Sequence, residues 1–346
     1  MPRLSALLRL AGVGAVMLAA VPPAPADPVA DFYKGRTISL YVGFPPGGGY
    51  DLYARALVRH YAKHIPGEPT IVVQHMPGAG SVNLANHLYT RAPKDGLTIG
   101  MIFPGAIVGP LLDERMEARF KPTEFIFLGS ANNSTRVCAT FQGSGTRTFD
   151  DALKRETVMG GDAPGGSLFD YLQFLRREVG AKFKVVRGYK GSVDILLSME
   201  RREVEGICGL DWSSLRTQRP EWVRDNRMHV ILQTGIDTHA GLAAQGVPNI
   251  WKYVKDDESR RVLELILGQQ VFGRPFKLPP GVPAERVAIL RKAFDDTMAD
   301  KAFVADAEKM GLEITPASGM RVQELVTKMY ASPPNIVKRA REALQP

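Results

Sequence analysis

Residues 37–51 read Thr-Ile-Ser-Leu-Tyr-Val-Gly-Phe-Pro-Pro-Gly-Gly-Gly-Tyr-Asp, and this stretch decides the fold class. Thr37 to Val42 has the β-branched and aromatic content of a buried strand. Gly43 to Gly49 then packs prolines and glycines so densely that regular structure must stop. From Tyr50 to Ile65, Ala54, Leu57, Val58 and Tyr61 recur at the spacing of one buried helix face. A strand, a Gly-rich loop and a helix in series form the repeating unit of a parallel α/β sheet.

The unit recurs outward from there. Thr70–Val73 reads as a strand, Met76–Gly80 as a tight loop, Val82–Tyr89 as a helix start and Leu97–Ile102 as a third strand. A second set follows, with strands at Arg136–Phe141, Thr157–Gly160, Lys184–Val186 and Val204–Cys208, and helices at 168–179 and 193–201. His229–Gln233 reads as a strand returning toward the first set, and Gln270–Pro279 as one more strand added to it. Val287, Leu290, Phe294 and Met298 form a core-facing stripe on a helix that Pro283 begins. These elements predict two lobes, 29–131 plus 234–346 and 132–233, each a mainly parallel sheet flanked by helices. Crossing strands between the lobes leave a cleft, the usual place for a small ligand.

The chain has 346 residues, 45% of them hydrophobic, enough to build both cores. Residues 1–26 carry Arg3 and Arg9, the apolar run Ala11–Val21 and the sequence Ala24-Pro25-Ala26. A charged start, a short hydrophobic middle and an A-x-A site read as a secretory signal cleaved near Ala26, predicting a periplasmic product. Its removal lowers the formal net charge from +8 to +6. The remaining cations are scattered in pairs such as Arg176-Arg177 and Arg260-Arg261 with acids nearby. That pattern lacks the basic stripe of a nucleic-acid protein. Cys138 and Cys208 show no metal spacing; they are either two buried thiols or a disulfide within the second lobe.

Three loops join a strand end to a helix start: Gly47-Gly48-Gly49, Gly78-Ala79-Gly80 and Gly165-Gly166-Ser167. A helix start offers free N–H groups and about half a unit of positive charge, and glycine lets an anion approach closely. The loops are therefore candidates for an anion site, with ordinary βα turns as the alternative. Asp51 is placed to cap its helix or to orient a water, and Arg55 is a possible charge partner. Tyr189 and Lys190 offer a ring and a cation, or simply packing and surface. Asp211 and Trp212 follow a strand and have the same two readings.

Enzyme signatures are missing. No G-x-x-x-x-G-K-[ST] loop occurs, Pro45-Pro46 interrupts any dinucleotide fingerprint, and there is no G-x-S-x-G elbow. His60 and His64 lack the glutamate of a zinc-protease helix and read as surface residues. The sequons at Asn132 and Asn133 carry little weight in a bacterial host. No cofactor and no metal are expected, and the only acid pair available to an enzyme is Asp162 with Asp211.

Taken together, Tyr41–Asp51 with Ala54-Arg55, Val73–Gly80, Ala92–Gly96, Gly188–Gly191, Glu200–Gly206 and Pro279–Pro283 resemble the Bug-type receptors of tripartite tricarboxylate transporters. The resemblance runs in order over nearly all of the chain after residue 26. It implies a periplasmic-binding-protein type 2 clamshell with no enzymatic activity, acting as a monomer that hands a small organic carboxylate to membrane permease subunits. By that resemblance the carboxylate is held, partly through waters, by Phe44, Pro46, Gly47, Gly48, Gly49, Tyr50 and Asp51, together with Gly78, Ala79, Gly80 and Ser81. Asp162, Gly165, Gly166, Ser167, Tyr189, Lys190 and Asp211 would read the rest of the ligand. Tyr50 stands where the family often has a small hydroxyl residue, and Ser81 where it often has glycine. An exported sensor of the same fold feeding a signalling partner is the rival reading, followed by an α/β enzyme acting on an anion.

Overall fold

The computed structural model describes residues 28–345 except 115 and 163–165, so the expected signal segment lies outside the described residues. Eleven strands are present among them: β1 Thr37–Val42, β2 Thr70–His75, β3 Thr98–Met101, β4 Ile126–Ser130, β5 Arg136–Phe141, β6 Thr157–Gly160, β7 Phe183–Val186, β8 Gly206–Asp211, β9 Met228–Thr234, β10 Pro275–Leu278 and β11 Ala317–Ser318. They form two sheets, in the orders β11-β4-β10-β3-β1-β2 and β7-β6-β8-β5-β9.

Both sheets are mixed, for one topological reason. Where strand–loop–helix units run in series, the pairs β1·β2, β1·β3, β6·β7 and β6·β8 are parallel. A strand arriving from the opposite side breaks that order in each sheet. β10 lies antiparallel between β3 and β4, and β5 antiparallel between β8 and β9.

The opening stretch folds as read. β1 ends at Val42, and the next helix spans Gly49–Tyr61 with Ala54, Leu57 and Tyr61 buried against the first sheet. Val287, Leu290, Phe294 and Met298 are likewise buried on helix Ala284–Ala299. Two links join the sheets directly, residues 131–135 between β4 and β5, and the longer segment from β9 to β10. They hold each other through Ala131 N–H to the Arg274 carbonyl, Gly273 N–H to the Asn132 carbonyl and Ser134 N–H to the Gln270 carbonyl, all 2.9–3.0 Å. Asn132 is consequently buried.

Cys138 and Cys208 are bonded to one another. They face each other in register on β5 and β8, which decides between the two readings of the pair. Lys277 on β10 is fully buried, with its ammonium 4.8 Å from the centre of the Phe127 ring. Burial pushes its pKa well below the ordinary lysine value, because desolvation penalises the charged form.

Candidate functional site

The loop after β1 is braced from within. Gly47, at φ +84°, donates its N–H to Asp51 Oδ2 at 2.8 Å. Arg55 Nε reaches the same oxygen at 2.9 Å, and His75 Nε2, at the end of β2, meets Oδ1 at 2.8 Å. Burial alone would raise the Asp51 pKa. The Arg55 guanidinium, the Gly47 amide and the His75 ring outweigh it and hold the carboxyl near 2. Asp51 therefore ties the glycine loop to its helix and to the neighbouring strand, closer to the capping reading than to the water-orienting one. Its charge is neutralised locally by Arg55. The helix start itself is open: Gly48 is the N-cap without a side-chain partner, and Gly47, Gly48 and Gly49 are exposed. Helix-start amides in that position lack intrahelical acceptors.

The loop after β2 is strained. Ala79, Gly80 and Ser81 follow one another at φ +45°, +59° and +77°, a left-handed turn costing roughly 1–2 kcal/mol at each non-glycine residue. This geometry explains why a glycine suits position 81. Here the Ser81 hydroxyl instead donates to the Gly43 carbonyl at 3.1 Å, fastening the two loops side by side. Ala79 and Gly80 stay exposed.

Tyr50 fills the space beside these loops. Its ring packs on Phe44 at 4.7 Å and Phe103 at 6.2 Å, and its hydroxyl donates to the Gly273 carbonyl at 2.8 Å. Arg274, next to that carbonyl, lays its guanidinium 4.6 Å from the Tyr50 ring centre and 5.1 Å from that of Tyr53. Its NH1 donates to the Gly273 carbonyl, while its Nε is buried without an acceptor. A buried donor left unpaired is costly, and the rest of the guanidinium is only partly buried.

The second sheet answers with Arg136, at the start of β5. It donates to Ser167 Oγ at 2.8 Å and to the Gly209 carbonyl at 2.6 Å, lies 5.5 Å from the centre of the Tyr171 ring, and pairs in register with Asp211. Asp162 accepts from the Phe169 N–H at 2.8 Å at the start of helix Ser167–Phe174, and Gly166 packs against that carboxylate. Asp211 caps the next helix through Ser214 N–H at 3.2 Å. Each aspartate thus braces a helix start. Trp212 is buried in the second core. Tyr189 packs over Gly160 at the end of β6, and Lys190 is exposed with its N–H on Asp194 at 3.3 Å. Gly165 lies outside the described residues.

The two sets of loops meet at the tyrosines. Burial drives the Tyr50 pKa to about 12 against the pull of Arg274 and Arg136, with Asp211 adding to the rise. Tyr53 is raised to about 12 in the same way, with Arg274 opposing and Asp211 and Glu313 assisting. Charged groups of both halves, Arg274 on one side and Arg136 and Asp211 on the other, thus act on the same buried tyrosines. Arg274, Arg136 and His75 were not signalled by the sequence. Each acts through a partner distant in the chain, and no spacing announces that. His60 and His64 pair instead with Asp306 at 3.1 Å and Asp300 at 3.4 Å, and no metal-binding cluster occurs among the described residues.

No family model matches the chain. BugT of Bordetella pertussis is 40% identical over 70 residues, 20% of this chain and 21% of that protein, so the matched stretch spans about a fifth of the relative. A TctC solute-binding protein from Polaromonas superimposes with a TM-score of 0.68 over 89% of this chain and 99% of its own, at 16% identity. The fold is that of the Bug and TctC proteins. MatC of Rhodopseudomonas palustris, solved with bound malate, shares the Bug-type fold with a TM-score of 0.59 over 90% of this chain and 99% of its own, at 15% identity. The sequence resemblance to Bug-type proteins and the Bug-type architecture thus agree. No helix among the described residues is long and apolar enough to cross a membrane.

Proposed function

We propose that the protein is an extracytoplasmic receptor that captures a small organic carboxylate between lobes 29–131 plus 234–346 and 132–233, and delivers it to a tripartite tricarboxylate-type permease. The observation that carries this reading is the pair of guanidinium groups that act on Tyr50, Arg274 from the connection before β10 and Arg136 from the start of β5. Carboxylates pair with arginine through short, charge-assisted hydrogen bonds. The two guanidinium groups would meet the acid's oxygens, while the helix-start amides of Gly48–Tyr50 supply further donors. The malate held by a protein of the same fold supports the ligand class.

Capture follows from linkage. A ligand touching groups of both lobes binds the closed form better and shifts the population toward it. The ion-paired Asp51 and the fastened Ser81 keep the first lobe's donors in place, which limits the ordering cost of binding. Isothermal titration of the protein without residues 1–26 against mono-, di- and tricarboxylates and amino acids tests the proposal. Binding of at least one carboxylate with accompanying closure in small-angle scattering is expected. Folded protein that binds none of the panel overturns it.

A further inference from the structure

A second cavity, of about 610 Å³, lies away from the glycine loops, between helices Asp257–Leu267 and Gly319–Tyr330 and the start of Pro334–Leu344. That volume falls in the range of small-molecule sites, about 300–1,000 Å³. Its floor is apolar: Leu265, Met329 and Ile336 are buried there beside the half-buried Trp251.

The rim has the opposite character. Arg260, Arg261, Arg321 and Lys328 line it and are exposed, against the single acid Glu264. Arg321 has Glu324 only at 3.9 Å. Among the described residues, no carboxylate lies within ion-pair distance of Arg260, Arg261 or Lys328. Arg260 lies 5.1 Å from the centre of the Trp251 ring, and the Trp251 indole N–H is fixed on the Ile236 carbonyl at 3.0 Å. Stacking of this kind holds a guanidinium by its face and leaves its N–H edge for an anion.

We infer that this cup is a binding site for a single-chain amphipathic anion, its apolar body on the Trp251–Met329 floor and its acidic head on the arginine rim. Surface cations alone bind anions weakly in water. An apolar floor adds desolvated contact that a bare patch lacks, at roughly 25 cal/mol per Å² covered. Head and body are therefore both required, which distinguishes this site from a merely basic surface.

Isothermal titration with decanoate below its micelle concentration tests the inference, with acetate as head alone and n-octyl glucoside as uncharged body. Decanoate is expected to bind one site at least tenfold tighter than either control. The double variant Arg260→Glu with Lys328→Glu should weaken it tenfold or more, and Arg321→Glu, on a different helix, should weaken it too. A cleft variant such as Arg274→Ala should leave it unchanged. Both cations of the double variant are exposed, and an unchanged thermal melt verifies that the variant is folded. Absence of decanoate binding, indifference to both sets of charge reversals, or loss in Arg274→Ala overturns the inference. Because decanoate is itself a carboxylate, Arg274→Ala separates the two sites: binding that survives it and falls with the rim reversals belongs to the cup whether or not the cleft reading holds.

Discussion

Asp51 and Asp162 occupy matching places in the two halves of the molecule, each bracing the start of a helix beyond a Gly-rich loop, yet their surroundings push them in opposite directions. Asp51 is buried with a guanidinium, an imidazole and an amide on its oxygens, and its pKa falls to about 2. Asp162 is half-buried; desolvation dominates, and its pKa rises despite backbone donors and the attraction of Arg136. The same residue type at the same topological point is thus ionised at little cost in one half and under tension in the other. The first half offers a neutralised brace beside an open helix start. In the second, the aspartate itself takes up the helix start, and the free positive charge moves to Arg136.

The contrast can be broken most forcefully in the second sheet. Replacing Cys138 and Cys208 together by serine reopens a separation of 70 residues, and loop-closure entropy puts the loss at about 4 kcal/mol. Urea unfolding followed separately in the two halves should show the second sheet melting first. Equal loss in both halves would mean that they unfold as one unit.

Asp51→Asn comes next, with an expected loss of about 2 kcal/mol near neutral pH from the depressed pKa. The sign follows from the direction of the shift. A carboxyl held below its unfolded value contributes fully above about pH 4, and that contribution disappears as pH falls toward 2. The wild-type advantage over Asp51→Asn in thermal melts should therefore vanish on acidification. Asp162→Asn should behave in reverse. Because the folded-state pKa is raised, the native aspartate gains stability as pH drops, so the variant should lie within about 1 kcal/mol of wild type at pH 7 and fall behind only in acid. Parallel pH curves for the two variants would dissolve the comparison.

The smallest effect concerns Ser81→Gly. Relief of the left-handed backbone and loss of the hydroxyl bond to Gly43 oppose each other at about 1 kcal/mol apiece, leaving stability nearly unchanged. Hydrogen exchange at residues 43–49 should quicken, since the fastener between the loops is gone.

How much of this was legible in the sequence follows the same division. Strand, loop and helix at 37–61, the buried stripe on helix Ala284–Ala299 and the strand at Arg136–Phe141 all rest on local periodicity, and each appears as read. β4 was unmarked, since its five residues end in Gly129-Ser130, which weaken a strand signal. Strand order is a non-local property, so the mixed sheets and the bonding of Cys138 to Cys208 appear only when β5 is seen beside β8. Arg274 was hidden for the same reason. Within 270–279 it reads as one residue of a strand, and its significance comes from Tyr50 and Tyr53, more than two hundred positions earlier. Tyr50, singled out as a departure from the resembling family, is the residue on which that arginine rests.

The central claim is that two arginines from opposite sides of the cleft hold the ligand's acid group. Titration of the tightest-binding carboxylate of the panel into wild type, Arg274→Ala and Arg136→Ala at fixed ionic strength tests it most directly. Losing a charged hydrogen-bonding partner predicts affinity lower by about 2–4 kcal/mol, or some thirty- to a thousandfold, in each variant, with thermal melts little altered for Arg274→Ala. Undiminished affinity for that carboxylate in both variants would contradict the account.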